Sequence, residues 1–340
     1  MSKHMDRREF LGRSLEAAAG VAVVGGLAGR ASSEPTSNRP LAAPAVEWRN
    51  RTDSMGYSQL GRTGFMTSRL VFGAGGLASD GGAPRLLETA IEHGMNHIDT
   101  GRPYKGSEEA IAPILKKHKG KVWITSKAGH IGWPDMQVKP GEDTKAAKLY
   151  TEQLEESLKA LGTDCIDCYM VQCVGEPWVV KMEALYEAFR KARQAGKVRY
   201  YGLATHTQVG EILTTAASTG WYDVIMLAVH PASLAEVSGA LDVARSAGIG
   251  IMSMKTGGQV RKDPGKFDPL YGELFQGRTL SPFQRAHAYM LASGKIDAFN
   301  SHMPNLAILE ENLVTAGLNL SRADMEALRE GALGWAIGSF

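Results

Sequence analysis

The chain of 340 residues predicts an α/β fold: a (β/α)8 barrel of the TIM type with an N-terminal β-hairpin. Three observations carry that prediction. Short apolar, strand-like runs alternate with helical segments eight times between Leu70 and Thr315, the count of a closed barrel. Gly162, Gly196, Gly220, Gly248 and Gly294 fall where those helices should stop, as C-cap glycines do. A doubly wound sheet, the competing architecture, would carry Gly-x-Gly-x-x-Gly after its first strand, and none is there.

Residues 1–45 read as a targeting segment rather than as fold. Asp6-Arg7-Arg8-Glu9-Phe10-Leu11-Gly12 is a twin-arginine signature, followed by a mildly apolar Ala/Gly stretch from Ala17 to Ala28. That stretch is shorter than the about 20 apolar residues of a membrane span, so no stable span is expected once the signal is removed. Ala43-Pro44-Ala45 offers small residues for cleavage. The expectation is a periplasmic or exported protein handled, already folded, by the twin-arginine translocation machinery. The plainer alternative is a frayed helix with two adjacent arginines. Residues 46–56 read as a linker and 57–340 as the barrel.

The barrel elements follow in order. Tyr57-Ser-Gln-Leu-Gly-Arg-Thr-Gly-Phe65 holds a Gly-Arg-Thr-Gly turn between two strand-like pieces, a hairpin signal. Strands are expected at Leu70–Gly73, Met95–Asp99, Val122–Ser126, Cys165–Val171, Val198–Leu203, Asp223–Ala228, Ile249–Met254 and Ile296–Ser301. The intervening helices are 84–93, 108–117, 144–161, 179–194, 209–218, 234–247, 282–292 and 308–315, with a last one at 322–333. Cys165, Cys168 and Cys173 crowd one apolar segment. On a strand, positions three apart are separated by about 10 Å and face opposite ways, beyond the about 7 Å that a disulfide spans. They read as packing residues.

Composition is that of a globular protein, and the formal net charge of +2 comes with no basic run interleaved with aromatics. Nucleic acid is therefore not an expected partner.

On this parse Asp99 ends the second barrel strand, Tyr104 lies in the loop after it, and Lys127 ends the third. Function in such barrels gathers at the C-terminal strand ends. A phenol is a poor acid at neutral pH; a buried ammonium beside it stabilises the phenolate and should lower its pKa. A carboxylate keeps the lysine charged and oriented. The trio could protonate the oxyanion formed when hydride reaches a carbonyl. The plain alternative is a strand-end salt bridge beside a loop aromatic. At the end of the next strand stands Gln172, whose amide can donate a hydrogen bond to a carbonyl but cannot relay a proton.

These motifs resemble the aldo-keto reductase family over nearly all of Tyr57 to Thr315. Tyr57-Ser-Gln-Leu-Gly-Arg-Thr-Gly is similar to its opening hairpin, and His97-Ile-Asp-Thr100 with Tyr104 and Gly106-Ser-Glu-Glu to its first signature. Thr125-Ser-Lys127 is similar to its lysine strand, Leu161-Gly-Thr-Asp-Cys-Ile-Asp-Cys-Tyr169 to the approach to its histidine, and Lys197-Val-Arg-Tyr-Tyr-Gly202 to its fifth strand. Leu309-Glu-Glu-Asn-Leu313 resembles the end of its adenine-binding segment. The resemblance implies reduction of a small aldehyde or ketone with NADP(H), or with NAD(H), Tyr104 as the acid and Asp99 and Lys127 supporting it.

Where the family has its histidine, this chain has Gln172. The family's Ser-Asn pair for the nicotinamide amide reads Ala204-Thr205, its strand-six glutamine Met226, and its stacking aromatic Met254, with Lys255 beside it. The basic residues implied for a 2′-phosphate become His302 and Ile308, while Glu311 and Asn312 match adenine contacts. The implied cofactor-binding set is thus Ala204, Thr205, Met226, Met254, Lys255, His302, Glu311 and Asn312.

His130, His206, His230 and His302 all fall at or past strand ends. Converging histidines could bind metal, but the early His-x-His pair of barrel metallohydrolases is missing, and no metal site is expected. The segment from Thr256 to Thr279 could close over the mouth or be a plain insertion. Two further readings stay open: an exported binding protein that keeps the barrel without turnover, and a metal-dependent hydrolase.

Overall fold

A computed structural model describes residues 45–77, 83–132, 137–258, 260, 280–318 and 323. The targeting segment, most of the 256–279 stretch and nearly all of the expected helix at 322–333 lie outside the described residues.

A two-stranded antiparallel hairpin comes first, β1 (Tyr57–Gln59) against β2 (Met66–Ser68), with Tyr57 opposite Ser68. Eight parallel strands then close into a barrel. They are β3 (Leu70–Gly73), β4 (His97–Asp99), β5 (Trp123–Ala128), β6 (Ile166–Val171), β7 (Val198–Thr205), β8 (Val224–Ala228), β9 (Gly250–Met254) and β10 (Ala298–His302). β10 closes the ring against β3, with Asn300 opposite Val71.

Helices between the strands are α1 (Ala83–Glu92), α2 (Ser107–Lys117), α3 (Asp143–Leu161), α4 (Pro177–Val180), α5 (Glu183–Gln194), α6 (Val209–Thr219), α7 (Leu234–Ser246), α8 (Pro282–Ala292) and α9 (Leu306–Ala316). The helix expected over 179–194 is two helices, because Met182 between them has extended backbone (φ −73°, ψ 99°). α9 starts earlier than expected, since the Asn305 side chain accepts from Ile308 N at 3.0 Å and caps it. β4 starts later than expected, at His97.

The barrel encloses its own core of Val71, Trp123, Cys168, Met170, Val224 and Met252, among others. The hairpin supplies the plug. Its Leu60 and Phe65 are fully buried, and Phe65 stacks on Trp123 with centroids 4.5 Å apart. Gly61, at φ 49°, brings the turn so near β9 that a Cβ there would lie 2.2 Å from Gly250 N.

Residues 46–56, expected as a linker, pack on the same end of the barrel. Arg49 donates to both oxygens of Asp167 (3.0 and 2.8 Å) and to Val122 O (2.7 Å). Arg199 reaches Asp167 (2.6 Å) and Glu47 (2.6 Å), and Asp167 also accepts from Ile124 N (3.0 Å). Asp167 therefore joins the strap to β5, β6 and β7.

Removing that carboxylate leaves the two guanidinium groups with Glu47 alone as their shared partner. Asp167→Ala should lower stability by about 3 kcal/mol, the scale of a broken, mostly buried pair. A urea titration would show it as a lower midpoint at unchanged slope; an unmoved midpoint would mean the strap is held by other contacts.

Candidate active site

The closed barrel brings Asp99, at the end of β4, beside Lys127 of β5. Lys127 Nζ donates to Asp99 Oδ1 at 2.5 Å and to Thr100 O at 2.7 Å. Both side chains are almost wholly buried. Tyr104 arrives on a short loop whose turn is closed by Tyr104 N donating to Gly101 O (2.9 Å). The loop is held down at several points. Arg102 N donates to Lys127 O (3.0 Å), and Ser107 Oγ to Ala74 O (2.6 Å). The Arg102 guanidinium pairs with buried Glu108 (2.5 Å), which accepts from Ser126 Oγ (2.6 Å). Gly129 lets Pro103 sit against it, where a Cβ would meet the proline ring at 2.3 Å. Lys127 Nζ then lies 5.2 Å from the centre of the Tyr104 ring.

The electrostatics follow from burial and from this one ion pair. Burial alone would favour the neutral amine of Lys127, but the charge and hydrogen bond of Asp99, with the Tyr104 oxygen beside it, outweigh burial and hold the lysine above its ordinary pKa. Burial pushes the Asp99 carboxyl up, against the opposing pull of Lys127 and Asn300. For Tyr104 the expectation needs correcting. Lys127 is the largest single influence and does pull the phenol down, but burial, the Asp99 carboxylate and Cys173 together outweigh it, so the phenol stands above the ordinary tyrosine value. Tyr104 is thus a protonated phenol throughout the neutral range, with its proton available to a strongly basic oxyanion.

Gln172 follows β6 and donates from Nε2 to Tyr104 OH at 3.4 Å, a long bond. That leaves the phenol's own hydrogen free for another acceptor. Gln172 Oε1 is buried without a hydrogen-bond partner among the described residues.

Sequence reasoning missed Asn300. Its Nδ2 donates to Asp99 Oδ2 at 2.8 Å and contacts Met226 Sδ at 3.5 Å. The available signal was an amide directly after the apolar pair Ala298-Phe299, near the end of the expected strand. Only closure of β10 on β3 reveals its partner.

Two adjoining cavities open at this end of the barrel, with Lys255, Asn300 and His302 lining both. The smaller, about 380 Å³, also holds Asp99, Tyr104 and Met254. The larger, about 840 Å³, runs past His206 and His287 to Glu311 and Asn312. The implied cofactor residues therefore divide. Lys255, His302, Glu311 and Asn312 line the larger cleft and Met254 the smaller cavity. Ala204 and Met226 instead belong to the core inside the barrel, and Thr205 is buried with its hydroxyl donating to Thr207 O (2.8 Å). None of these three lines either cavity.

The far wall of the cleft is braced by hydrogen bonds. Asn312 Nδ2 donates to Ser301 Oγ (3.0 Å), Gln284 Nε2 to Glu311 O (3.0 Å), and Ser281 Oγ to the Glu311 carboxylate. His206, His230 and His302 line the cleft and His130 does not. His230 Nδ1 accepts from Ser233 N (3.2 Å) and so caps a turn. Among the described residues no three His, Cys, Asp or Glu side chains cluster as a metal site requires.

The combined cleft has the size of an organic cofactor site. Buried polar atoms without hydrogen-bond partners among the described residues include His206 Nδ1 and Asn300 Oδ1, on residues of the cleft lining, and Gln172 Oε1, on a residue outside it. Buried polar groups are normally paired. A nicotinamide dinucleotide, rich in amide and hydroxyl groups, fits this lining.

Residues 69–331 match the family model described as "Aldo/keto reductase family". The chain belongs to the aldo/keto reductase family. Members are oxidoreductases that use nicotinamide cofactors. Among curated relatives, the uncharacterized oxidoreductase YrpG of Bacillus subtilis is 27% identical over 66% of this chain and 70% of its own. The aldo-keto reductase str7 of Strobilurus tenacellus is 23% identical over 82% and 86%. The uncharacterized oxidoreductase YqkF of Bacillus subtilis reaches 32%, but over only 35% of this chain and 39% of its own length. A thermostable aldo-keto reductase solved with the inhibitor epalrestat matches 82% of this chain and 100% of its own, at 23% identity and TM-score 0.67. The holo form of an aldo-keto reductase from Bacillus halodurans matches 82% and 96%, at 18% identity and TM-score 0.66. The structural likenesses establish the (β/α)8 barrel.

For this aldo/keto reductase, Lys127→Met should strand Asp99 as a buried carboxylate, a loss on the order of 3–5 kcal/mol. Without the lysine, burial raises the folded pKa of Asp99 above its unfolded value of about 4. A raised folded pKa contributes stability that is fully present below the unfolded pKa and is lost as pH rises through the folded one. The variant's deficit against wild type in urea denaturation should therefore be large at neutral pH and shrink towards about pH 4. An equal deficit at both would mean that Asp99 is not the group left stranded.

Proposed function

We propose that the protein reduces an aldehyde or ketone with a nicotinamide cofactor, Tyr104 serving as the general acid. The observation that carries this reading is the buried Asp99–Lys127 pair beside a protonated Tyr104 on the wall of a cavity that adjoins a cofactor-sized cleft. When bound, the cofactor supplies the hydride.

The chain's own residues do the rest. Lys127, held cationic by Asp99, gives the charge that stabilises the phenolate left once Tyr104 has donated its proton. Asn300 and Thr100 fix the positions of the two charges. Gln172 orients the phenol oxygen and can donate to the carbonyl; being an amide, it leaves proton transfer to Tyr104 alone. Lys255, His302, Glu311 and Asn312 are the candidate walls of the cofactor cleft. The family's nicotinamide cofactors make NADP(H) the expected ligand, with NAD(H) the alternative.

Fluorescence titration with NADPH and NADH tests the first half of the reading, and failure of both to bind at millimolar concentration would sink it. Tyr104→Phe tests the second half. It should keep cofactor affinity while kcat/KM for a small aldehyde falls by about 10²–10⁴, the usual share of a general acid.

Export through the twin-arginine pathway is part of the same proposal, supported by Arg7-Arg8 and the Ala/Gly stretch after them. That pathway carries folded cargo, so the cofactor would be loaded before crossing. Expressed with its N-terminus intact, the protein should be recovered outside the cytoplasm and start near Val46, while Arg7→Lys with Arg8→Lys should leave it uncleaved inside. Cleavage and location unaffected by the double substitution would refute export by this route.

A further inference from the structure

The mouth of the barrel carries a cation that the proton-delivery trio does not use. Lys255 directly follows β9 and lines both cavities, together with Tyr104 and Asp99 in the smaller one. Its backbone stands at φ 58°, a left-handed conformation costing a residue with a Cβ about 1–2 kcal/mol. Such strain gathers at functional sites. The turn that imposes it is closed by Gly258 N donating to Lys255 O at 2.8 Å.

The ammonium of Lys255 pairs with no carboxylate among the described residues. Asp99 is the one acidic residue in the described lining of the smaller cavity, and its oxygens are taken by Lys127 and Asn300. Nearby His206 is held neutral, with its pKa pushed down to about 4 by burial and then by Lys255 and Lys127. Among the described residues, the charge left uncompensated beside the reacting position is therefore positive. A neutral carbonyl compound would leave it unanswered, and an anionic oxygen group would pair with it.

We propose that the carbonyl substrate carries a carboxylate, bound by Lys255 while its carbonyl faces Tyr104. The inference rests on the reductase reading above and names the substrate class for that site. The same ammonium chemistry would suit a cofactor phosphate in the larger cleft. The substrate is favoured because Lys255 shares the smaller cavity with the acid that must meet the carbonyl.

The test compares 4-carboxybenzaldehyde with methyl 4-formylbenzoate, the same aldehyde with and without the negative charge, at saturating nicotinamide. Wild type should favour the acid in kcat/KM by about fivefold or more at low ionic strength, the upper range for a solvent-accessible pair, and the preference should shrink as salt is added. Lys255→Met should bring the ratio close to one and Lys255→Arg should keep most of it. Taking the ratio cancels any effect shared by both substrates, including weaker cofactor binding.

A wild-type ratio near one, or a ratio that Lys255→Met leaves unchanged, overturns the inference. If Lys255→Met weakens cofactor affinity and the ratio stays, the ammonium serves a cofactor phosphate and the inference falls. Should neither aldehyde be reduced, the inference falls too, and the nicotinamide titration then decides whether the reductase reading falls with it.

Discussion

Everything at the functional end of this barrel depends on one buried ion pair. Asp99 and Lys127 are both almost wholly removed from water, which costs several kcal/mol for each ion. The cost is offset because nearly every polar direction is answered. One Asp99 oxygen faces Lys127 at 2.5 Å, the other takes the Asn300 amide, and Lys127 also reaches Thr100 O. These partners come from β4, β5 and β10, so the pair is satisfied only when the ring closes. Fold and chemistry are coupled through that closure.

The two ends of the barrel divide their tasks. At the floor, the hairpin plugs the ring with Leu60 and Phe65, and the strap from Glu47 to Arg49 is pinned by Asp167 and Arg199. Arg49 and Arg199 lie over the Phe65–Trp123–Tyr200 stack, so their charge sits on aromatic faces. At the mouth, cavities stay open, and buried polar atoms on their lining lack partners among the described residues. Packing is complete where stability is needed and left unfinished where a ligand would complete it.

Much of the site was legible in the chain because its local spacing is tied to strand ends. Asp99, Tyr104, Lys127 and Gln172 each follow an apolar run, and the barrel rule sends such residues to one face. The cofactor wall was harder to read. Position along a strand does not say whether a side chain points into the ring or towards its rim, so Ala204 and Met226 entered the implied set although both fill the inner core. Residues 46–56 looked like a linker because a strap held by ion pairs has no periodic signature. The Tyr104 pKa went the other way from expectation because Lys127 is visible in the sequence, while the depth to which Tyr104 itself is buried and its nearness to Asp99 and Cys173 are not.

By itself, the sequence determined the alternation of strand and helix, the barrel count, and the residue types that can move a proton at a carbonyl. These depend on periodicity and on chemistry carried within short segments. The tertiary structure alone decided that Asn300 holds Asp99 across 201 positions of chain, that Lys255 has no carboxylate partner among the described residues where the two cavities meet, and that the phenol of Tyr104 stands above rather than below its ordinary pKa. Each of these depends on distance and burial between segments far apart in sequence. Electrostatic energy is set by those two quantities, and neither exists until the ring has closed.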